Sequence, residues 1–118
     1  MPPRILVVDD EPVICELIEE LLVDAGYVVR HALDGAAALD AALADPPDLV
    51  ISDLWMPKLD GAALERELRA RGLAMPVLFV SAALRMQPPD GARLIRKPFD
   101  ADDILAHVAE LLSRRPPV

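Results

Sequence analysis

The spacing of three short, uninterrupted apolar runs constrains the fold of this chain more than any other feature. The runs occupy residues 5–8, 49–51 and 77–80. Short runs that are apolar at every position are typical of strands in a parallel sheet whose two faces are both covered by helices. Parallel neighbours are joined by long crossovers, usually helical, so the intervening segments are expected to contain helices. The sequence therefore predicts a layered α/β fold.

Two other candidate strands are more polar. Residues 27–32 include Arg30 and His31, and residues 93–96 have an arginine at each end. Strands of this kind tolerate water and belong at the edges of a sheet. With the apolar runs in the centre, we predict a doubly wound five-stranded parallel sheet in the flavodoxin-like order 2-1-3-4-5. Ligands of such sheets bind beyond the carboxyl ends of the strands, at the switch between the first and third strands.

Helix signals fill the gaps between the strands. Pro12 and Gly26 bracket apolar residues that are spaced as on one face of a helix of about three or four turns. These residues are Ile14, Leu17, Ile18, Leu21 and Leu22. Asp34, Asp60 and Asp100 each precede a stretch of helix-forming residues and are predicted to cap the helix that follows.

The length and composition fit one domain. The chain has 118 residues, of which 53% are hydrophobic and only 3% aromatic, so its core is predicted to consist mainly of Ala, Val, Leu and Ile. We predict a single domain over residues 1–118, with residues 113–118 forming a tail or the start of a linker. The Pro-rich end is compatible with a complete single-domain protein and with a domain cut from a longer chain.

Charge and cysteine content restrict the partners and the location. The formal net charge of −8 disfavours direct binding to nucleic acid or to an anionic membrane. No apolar run approaches the roughly 20 residues of a membrane span, and the N-terminus lacks the apolar segment of a signal peptide. The single Cys15 cannot form an internal disulfide and fits a buried position in the first helix. We therefore predict a cytoplasmic protein.

Polar residues follow four of the predicted strands. Asp9 and Asp10 follow the first strand, Asp53 the third, Ser81 the fourth and Lys97 the fifth. Two carboxylates about 4 Å apart repel each other by roughly 4 kcal/mol at an effective dielectric constant of about 20, so a cluster of three calls for a cation. Oxygen ligands without a Cys or His cluster favour magnesium. The strand ends therefore predict a magnesium site.

The same residues favour phosphoryl transfer. Magnesium usually keeps some of its waters and completes its coordination with a substrate phosphate. In such a reaction one of the aspartate carboxylates can act as the nucleophile. Lys97 and the metal can neutralise the phosphoryl oxygens, and Ser81 can donate a hydrogen bond to one of them.

Several segments, in this order, resemble the receiver domain of bacterial response regulators. They are LVVDDE at residues 6–11, DLWMP at residues 53–57 with Gly61, SA at residues 81–82 and KPF at residues 97–99. Each segment alone is a weak signal, but the combination at successive strand ends is specific and covers almost the whole chain.

The resemblance implies that Asp53 accepts a phosphoryl group from a phosphohistidine on a sensor histidine kinase or phosphotransfer protein. It also implies that magnesium is held by Asp10, Asp53 and the backbone carbonyl of Trp55, with Asp9 supporting the metal largely through water. The chain would then be a phosphoacceptor that assists its own phosphorylation and dephosphorylation, and not an enzyme acting on a separate substrate. Its downstream partner is an unknown protein, and a homodimer is a possible assembly.

The resemblance assigns roles to the remaining segments as well. Ser81 and Lys97 would bind the phosphoryl oxygens. The Lys97-Pro98 bond would be cis, which is uncommon even for a bond that precedes proline. Ala82 is small, as is usual in the family, and would leave room for access to the phosphorylation site.

The chain departs from the family pattern in two places. Only 16 positions separate Ser81 from Lys97, fewer than the family usually has by more than one helical turn. Because residues 83–91 contain two prolines and a glycine, we predict that the fourth helix of the family is shortened or replaced by a loop. Leu94 stands where many members have an aromatic switch residue. Both changes affect a face that many receivers use for output, so we hypothesise an output route through the first helix or through residues 57–61.

Three other functions fit the sequence less well. A phosphorylation-independent adaptor with a receiver fold would not need the intact acids and Lys97. Haloacid-dehalogenase-like phosphatases have an Asp-x-Asp motif at the nucleophile, in which the second Asp acts as acid and base. In this chain the residue two positions after Asp53 is Trp55. A flavodoxin-like redox role would need a phosphate-binding loop after the first strand.

His31 and His107 match no motif and are predicted to be partly exposed structural residues.

Overall fold

Strand and helix alternate along the chain, as predicted. The computed structural model describes residues 2–82, 88–89 and 91–114. The strands are β1 (Arg4–Val8), β2 (Val28–Ala32), β3 (Leu49–Ser52), β4 (Val77–Ser81) and β5 (Arg93–Arg96). The helices are α1 (Pro12–Asp24), α2 (Gly35–Ala44), α3 (Gly61–Ala70) and α4 (Ala101–Ser113). Every predicted strand agrees with an observed strand to within one residue at either end.

The five strands form one parallel sheet in the predicted order, β2-β1-β3-β4-β5. In its register Val8 lies opposite Ser52, and Ser52 lies opposite Phe79 on the next strand. Ser81 at the end of β4 lies opposite Arg96 at the end of β5. The carboxyl ends of β1, β3, β4 and β5 therefore meet at one edge of the sheet. The polar residues that the sequence analysis assigned to the site lie at this edge.

The sheet divides the hydrophobic core into two layers. Ile5 and Val7 of β1 belong to the layer under α1 and α4, whereas Leu6 and Val8 belong to the layer under α2 and α3. This alternation follows from the two-residue repeat of a strand, whose successive side chains point to opposite faces. Cys15 is buried in the first layer, as predicted.

Aspartates begin three of the helices, as predicted. Each accepts a hydrogen bond from a backbone N–H of its own helix: Asp34 from Ala37 at 2.7 Å, Asp60 from Ala63 at 2.8 Å and Asp100 from Asp102 at 3.3 Å. These bonds satisfy N–H groups that have no partner within the helix. None of the helices among the described residues has the length and apolar character needed to cross a bilayer.

The apolar pattern of α1 is wider than its buried face. Cys15, Ile18 and Leu22 are buried, but Leu17 is 48% exposed and Val13 is 71% exposed. The apolar residues of α1 cover a broader arc of the helix than the face that packs against the sheet. Leu17 lies on the part of this arc that the sheet does not cover, so α1 has apolar side chains at the surface.

The predicted shortening of the family's fourth helix concerns residues 83–91. Residues 83–87 and 90 lie outside the described residues. Pro88 and Pro89 do not lie in a helix. Gly91 has a φ of +77°, in the left-handed region that glycine adopts readily. The described residues contain four helices around the sheet, which fits the prediction. Leu94 is half-buried and packs against the second core layer.

Candidate functional site

The polar residues at the strand ends are held in place by backbone hydrogen bonds that continue the sheet. The N–H of Asp9 donates to the carbonyl of Ala32 at 3.2 Å, and the N–H of Asp53 donates to the carbonyl of Val8 at 3.0 Å. The N–H of Lys97 donates to the carbonyl of Ser81 at 3.1 Å. These bonds fix the backbone of Asp9, Asp53 and Lys97, and the three side chains therefore lie side by side at one edge of the sheet.

Lys97 connects two of the aspartates. Its Nζ donates to Oδ2 of Asp9 at 2.8 Å and to Oδ2 of Asp53 at 3.1 Å. The side chains of Asp9, Asp53 and Lys97 are only 3%, 10% and 12% exposed. Because water is largely excluded, the charges interact more strongly here than they would at the protein surface.

Burial and pairing shift the pKa values in this cluster. Burial raises the pKa of Asp9 above its usual value, and the hydrogen bonds from Lys97 and from the backbone of Glu11 offset this only in part. Burial alone would lower the pKa of Lys97, but its contacts with Asp9 and the charge of Asp53 outweigh burial and raise it. Lys97 is therefore held in its charged form, whereas Asp9 is ionised at a cost in free energy.

The arrangement of the carboxylates fits a metal ion. One oxygen from each of Asp9, Asp10 and Asp53 lies within 4.8 Å of the others. Oδ1 of Asp9 accepts the N–H of Glu11 at 2.9 Å, and Oδ1 of Asp53 accepts the N–H of Trp55 at 3.3 Å. These bonds orient the carboxylates while each oxygen keeps a further lone pair for a ligand. A set of hard oxygen donors could hold a divalent cation such as magnesium.

The predicted site residues surround one pocket. A pocket of about 340 Å³ is lined by Asp10, Glu11, Asp53, Trp55, Ser81, Ala82 and Lys97. Asp9 is not among the lining residues but contacts Lys97, which is. Trp55 is 57% exposed at the pocket, and Ser81 is buried. The structure thus brings together all six residues that the sequence assigned to the site.

A second, mostly apolar groove adjoins the pocket. It has a volume of about 380 Å³ and is lined by Ile14, Leu17, Ala82, Lys97, Pro98 and Phe99. Ala82 and Lys97 line both cavities, so the groove is continuous with the site. The Lys97-Pro98 bond is cis, as the resemblance implied.

Some features of the site were not evident from the sequence. Ser52 is fully buried, and its Oγ donates to the backbone carbonyl of Asp53 at 2.8 Å. Its signal in the sequence is a single polar residue at the end of an apolar run. Neither His31 nor His107 is among the described residues that line the pocket. His31 is exposed beside Glu19, and His107 lies 3.4 Å from Arg93.

Comparisons with known proteins agree with this geometry. Residues 5–109 match the family model of the response regulator receiver domain. The chain is 39% identical to response regulator MprA of Mycolicibacterium vanbaalenii, over 99% of this chain and 53% of the relative. It is also 39% identical to the DNA-binding dual master transcriptional regulator RpaA of Synechocystis, over 95% of this chain and 50% of the relative. The chain thus spans about half the length of these curated relatives.

Solved structures give the same result for the fold. A putative response regulator from Chloroflexus aurantiacus superposes with a TM-score of 0.88 at 31% identity, over 97% of this chain and all of that structure. Sequence and structure therefore agree along nearly the whole chain, and this chain belongs to the response regulator receiver domain family.

Proposed function

We propose that this chain is the phosphorylation-dependent switch of a two-component signalling system. The contact of Lys97 with both Asp9 and Asp53, in a pocket that also contains Asp10, carries the proposal. A buried ammonium group beside a carboxylate nucleophile provides the positive charge that a phosphoryl group needs. Membership of the receiver family supports the same function.

In the proposed reaction Asp53 is the nucleophile. One of its carboxylate oxygens forms a bond to phosphorus while the P–N bond of a phosphohistidine breaks. The leaving imidazole keeps the electron pair and takes up a proton from solvent. Lys97, 3.1 Å from Asp53, would bind one phosphoryl oxygen, and Ser81 would donate a hydrogen bond to another. Water would later attack the phosphorus, the P–O bond to Asp53 would break, and inorganic phosphate would leave with the carboxylate restored, so the chain would assist both its phosphorylation and its dephosphorylation.

The proposed metal is magnesium. Asp10, Asp53 and the backbone carbonyl of Trp55 would hold it, and Asp9 would support it largely through water. The three clustered carboxylates support this assignment, and so does the absence of Cys and His from the described residues that line the pocket. When bound, magnesium would supply positive charge that neutralises the phosphoryl oxygens.

The proposed partners follow from the same chemistry. The phosphodonor would be a sensor histidine kinase or phosphotransfer protein in the cytoplasm. The net charge of −8 supports the proposal that this chain does not itself contact nucleic acid. RpaA, which is named as DNA-binding, is about twice as long as the matched region. A downstream effect on DNA would therefore need a further domain or another protein.

The surface of α1 supports an output route through this helix. Leu17 is exposed and lines the groove that Lys97 shares with the pocket, and Val13 is exposed one turn earlier on the same helix. The exposed acids Glu16 and Glu20 lie on the same helix. An apolar surface flanked by acids fits an amphipathic partner helix with basic flanks. Because Lys97 lines both cavities, a change at Asp53 could alter the groove directly.

Intact mass after incubation with acetyl phosphate and magnesium tests the proposal. We expect a phosphoryl adduct on the wild-type chain and none on Asp53→Asn, because an amide is not a competent nucleophile. Asp40→Asn, an exposed aspartate on α2, is the matched control and should keep the adduct. Absence of the adduct from the folded wild-type chain would favour the phosphorylation-independent adaptor, and turnover of a phosphoester would favour a phosphatase.

A further inference from the structure

A buried hydroxyl lies directly behind the phosphorylation site. Ser52 ends β3, a central strand whose other residues are Leu49, Val50 and Ile51, and it is fully buried. Its Oγ donates to the backbone carbonyl of Asp53 at 2.8 Å. In this strand an apolar side chain would pack without the cost of removing a hydroxyl from water, so packing alone does not account for a serine here.

The carbonyl of Asp53 is constrained from a second direction. A Cβ added to Gly61 at the start of α3 would lie 2.3 Å from this oxygen, far inside contact distance. The N–H of Gly61 donates to the carbonyl of Leu54 at 2.8 Å. The turn that follows Asp53 is therefore packed against α3 on one side and bonded to Ser52 on the other.

The neighbouring strand end has a similar contact. Sγ of Cys15, which is buried in α1, lies 3.4 Å from the carbonyl of Asp9. A thiol is a weak hydrogen-bond donor, and the carbonyl of Asp9 is within its reach. Two buried side-chain donors are thus directed at the backbone carbonyls of the two aspartates that contact Lys97.

We infer that Ser52 is a positioning residue for the proposed phosphorylation site. By holding the carbonyl of Asp53, it fixes the direction in which the chain continues to Trp55, whose N–H reaches Oδ1 of Asp53 at 3.3 Å. The other oxygen of Asp53 is held by Lys97. A carboxylate fixed at both oxygens and at its backbone is ordered before metal or phosphodonor arrives, which lowers the entropic cost of binding either one. The inference rests on the proposed function of Asp53.

Ser52→Ala tests the inference. We expect calorimetric titration with magnesium chloride to show about tenfold weaker binding, the size typical for loss of a group that orients a metal ligand. Adduct formation with acetyl phosphate, measured by intact mass over time, should slow by a similar factor. Ser52→Thr, which keeps a hydroxyl and suits a strand, should restore both quantities to within about threefold of wild type.

Two controls separate positioning from general loss of stability. Ser113→Ala removes a hydroxyl that also donates to a backbone carbonyl, that of Glu110 at 2.7 Å, but at the end of α4. Ile104→Val creates a small defect in the core under α4 and should lower stability about as much as Ser52→Ala. Both should bind magnesium and form adduct like the wild type.

The outcomes distinguish the two proposals. If the wild type binds magnesium and forms adduct while Ser52→Ala matches it in both, the positioning role is wrong and the proposed function stands. If Ile104→Val loses as much magnesium affinity as Ser52→Ala, the effect is one of stability and the inference also fails. If the folded wild type neither binds magnesium nor forms adduct, the proposed function fails as well.

Discussion

Strand β1 connects two charged clusters that differ sharply in burial. At its start, Arg4 forms a two-pronged ion pair with Asp45, and its N–H donates to Asp48 at 2.8 Å. We call this set, together with Arg30, the Arg4 cluster. After its end, Asp9 contacts Lys97, which lines the pocket together with Asp10 and Asp53. The side chains of Arg4 and Asp45 are 37% and 45% exposed, whereas those of Asp9 and Lys97 are 3% and 12% exposed.

The pKa of an aspartate side chain shifts in opposite directions at the two ends of the strand. The hydrogen bond from Arg4 lowers the pKa of Asp45, whereas burial raises the pKa of Asp9 despite its contact with Lys97. For these two aspartates, pairing dominates at Asp45, which water still solvates, and desolvation dominates at the buried Asp9. Ionisation of Asp9 therefore opposes folding, whereas the charge of Lys97 is stabilised by its two carboxylate partners.

The largest effect expected from this contrast is that of Lys97→Met. Removing the cation leaves Asp9 and Asp53 buried without a counter-charge, and we expect a loss of about 3 kcal/mol in the free energy of unfolding at neutral pH without magnesium. Millimolar magnesium should recover much of the loss, because it replaces the missing charge. Urea titrations with EDTA and with magnesium measure both quantities. An equal loss in the two conditions would contradict a metal site at these carboxylates.

Asp9→Asn should raise the free energy of unfolding, whereas Lys97→Met should lower it. Burial opposes ionisation of Asp9, so the neutral amide is expected to stabilise the magnesium-free protein by about 1 kcal/mol at neutral pH. Because the folded pKa is raised, the gain should be absent below the ordinary value of 3.8 and should grow as pH rises through the folded pKa. Thermal unfolding with EDTA across this range checks it. A destabilised variant at neutral pH would mean that pairing with Lys97 outweighs burial.

Arg4→Met is expected to cost less stability than Lys97→Met. The ion pair it breaks is partly solvated, so the carboxylates left behind recover water. The loss should shrink further in high salt, which screens exposed charges more than buried ones. Urea titrations of both variants at low and high salt measure the difference. Similar losses for Arg4→Met and Lys97→Met would mean that the Arg4 cluster and the pocket do not differ in the strength of their charge interactions.

The smallest effect expected is that of Asp45→Asn, because the amide oxygen can still accept a hydrogen bond from Arg4. The folded pKa of Asp45 is lowered, so the carboxylate contributes stability above its ordinary value of 3.8 and loses it as pH falls through the folded pKa. The difference between wild type and Asp45→Asn should therefore be present at neutral pH and vanish in strong acid. Chemical unfolding at a series of pH values tests this dependence.

Local sequence patterns were enough to predict the secondary structure and its order in the sheet. Apolar runs predicted the three central strands, and the arginines of residues 93–96 predicted an edge. Asp34, Asp60 and Asp100 predicted helix starts because capping depends on residues only two or three positions apart. The exposure of Leu17 was not predictable in this way, because it depends on how α1 sits against the sheet.

The sequence by itself determined which residues would meet at the carboxyl ends of the strands, because strand alternation and edge composition leave few topologies. Only the tertiary structure decided how they meet. Lys97 contacts Asp9 across 88 positions of sequence, and Ser52 bonds to the carbonyl of Asp53 only because β3 ends where it does. Distances, burial and pKa shifts of this kind depend on strand register and on the exclusion of water, neither of which a local pattern contains.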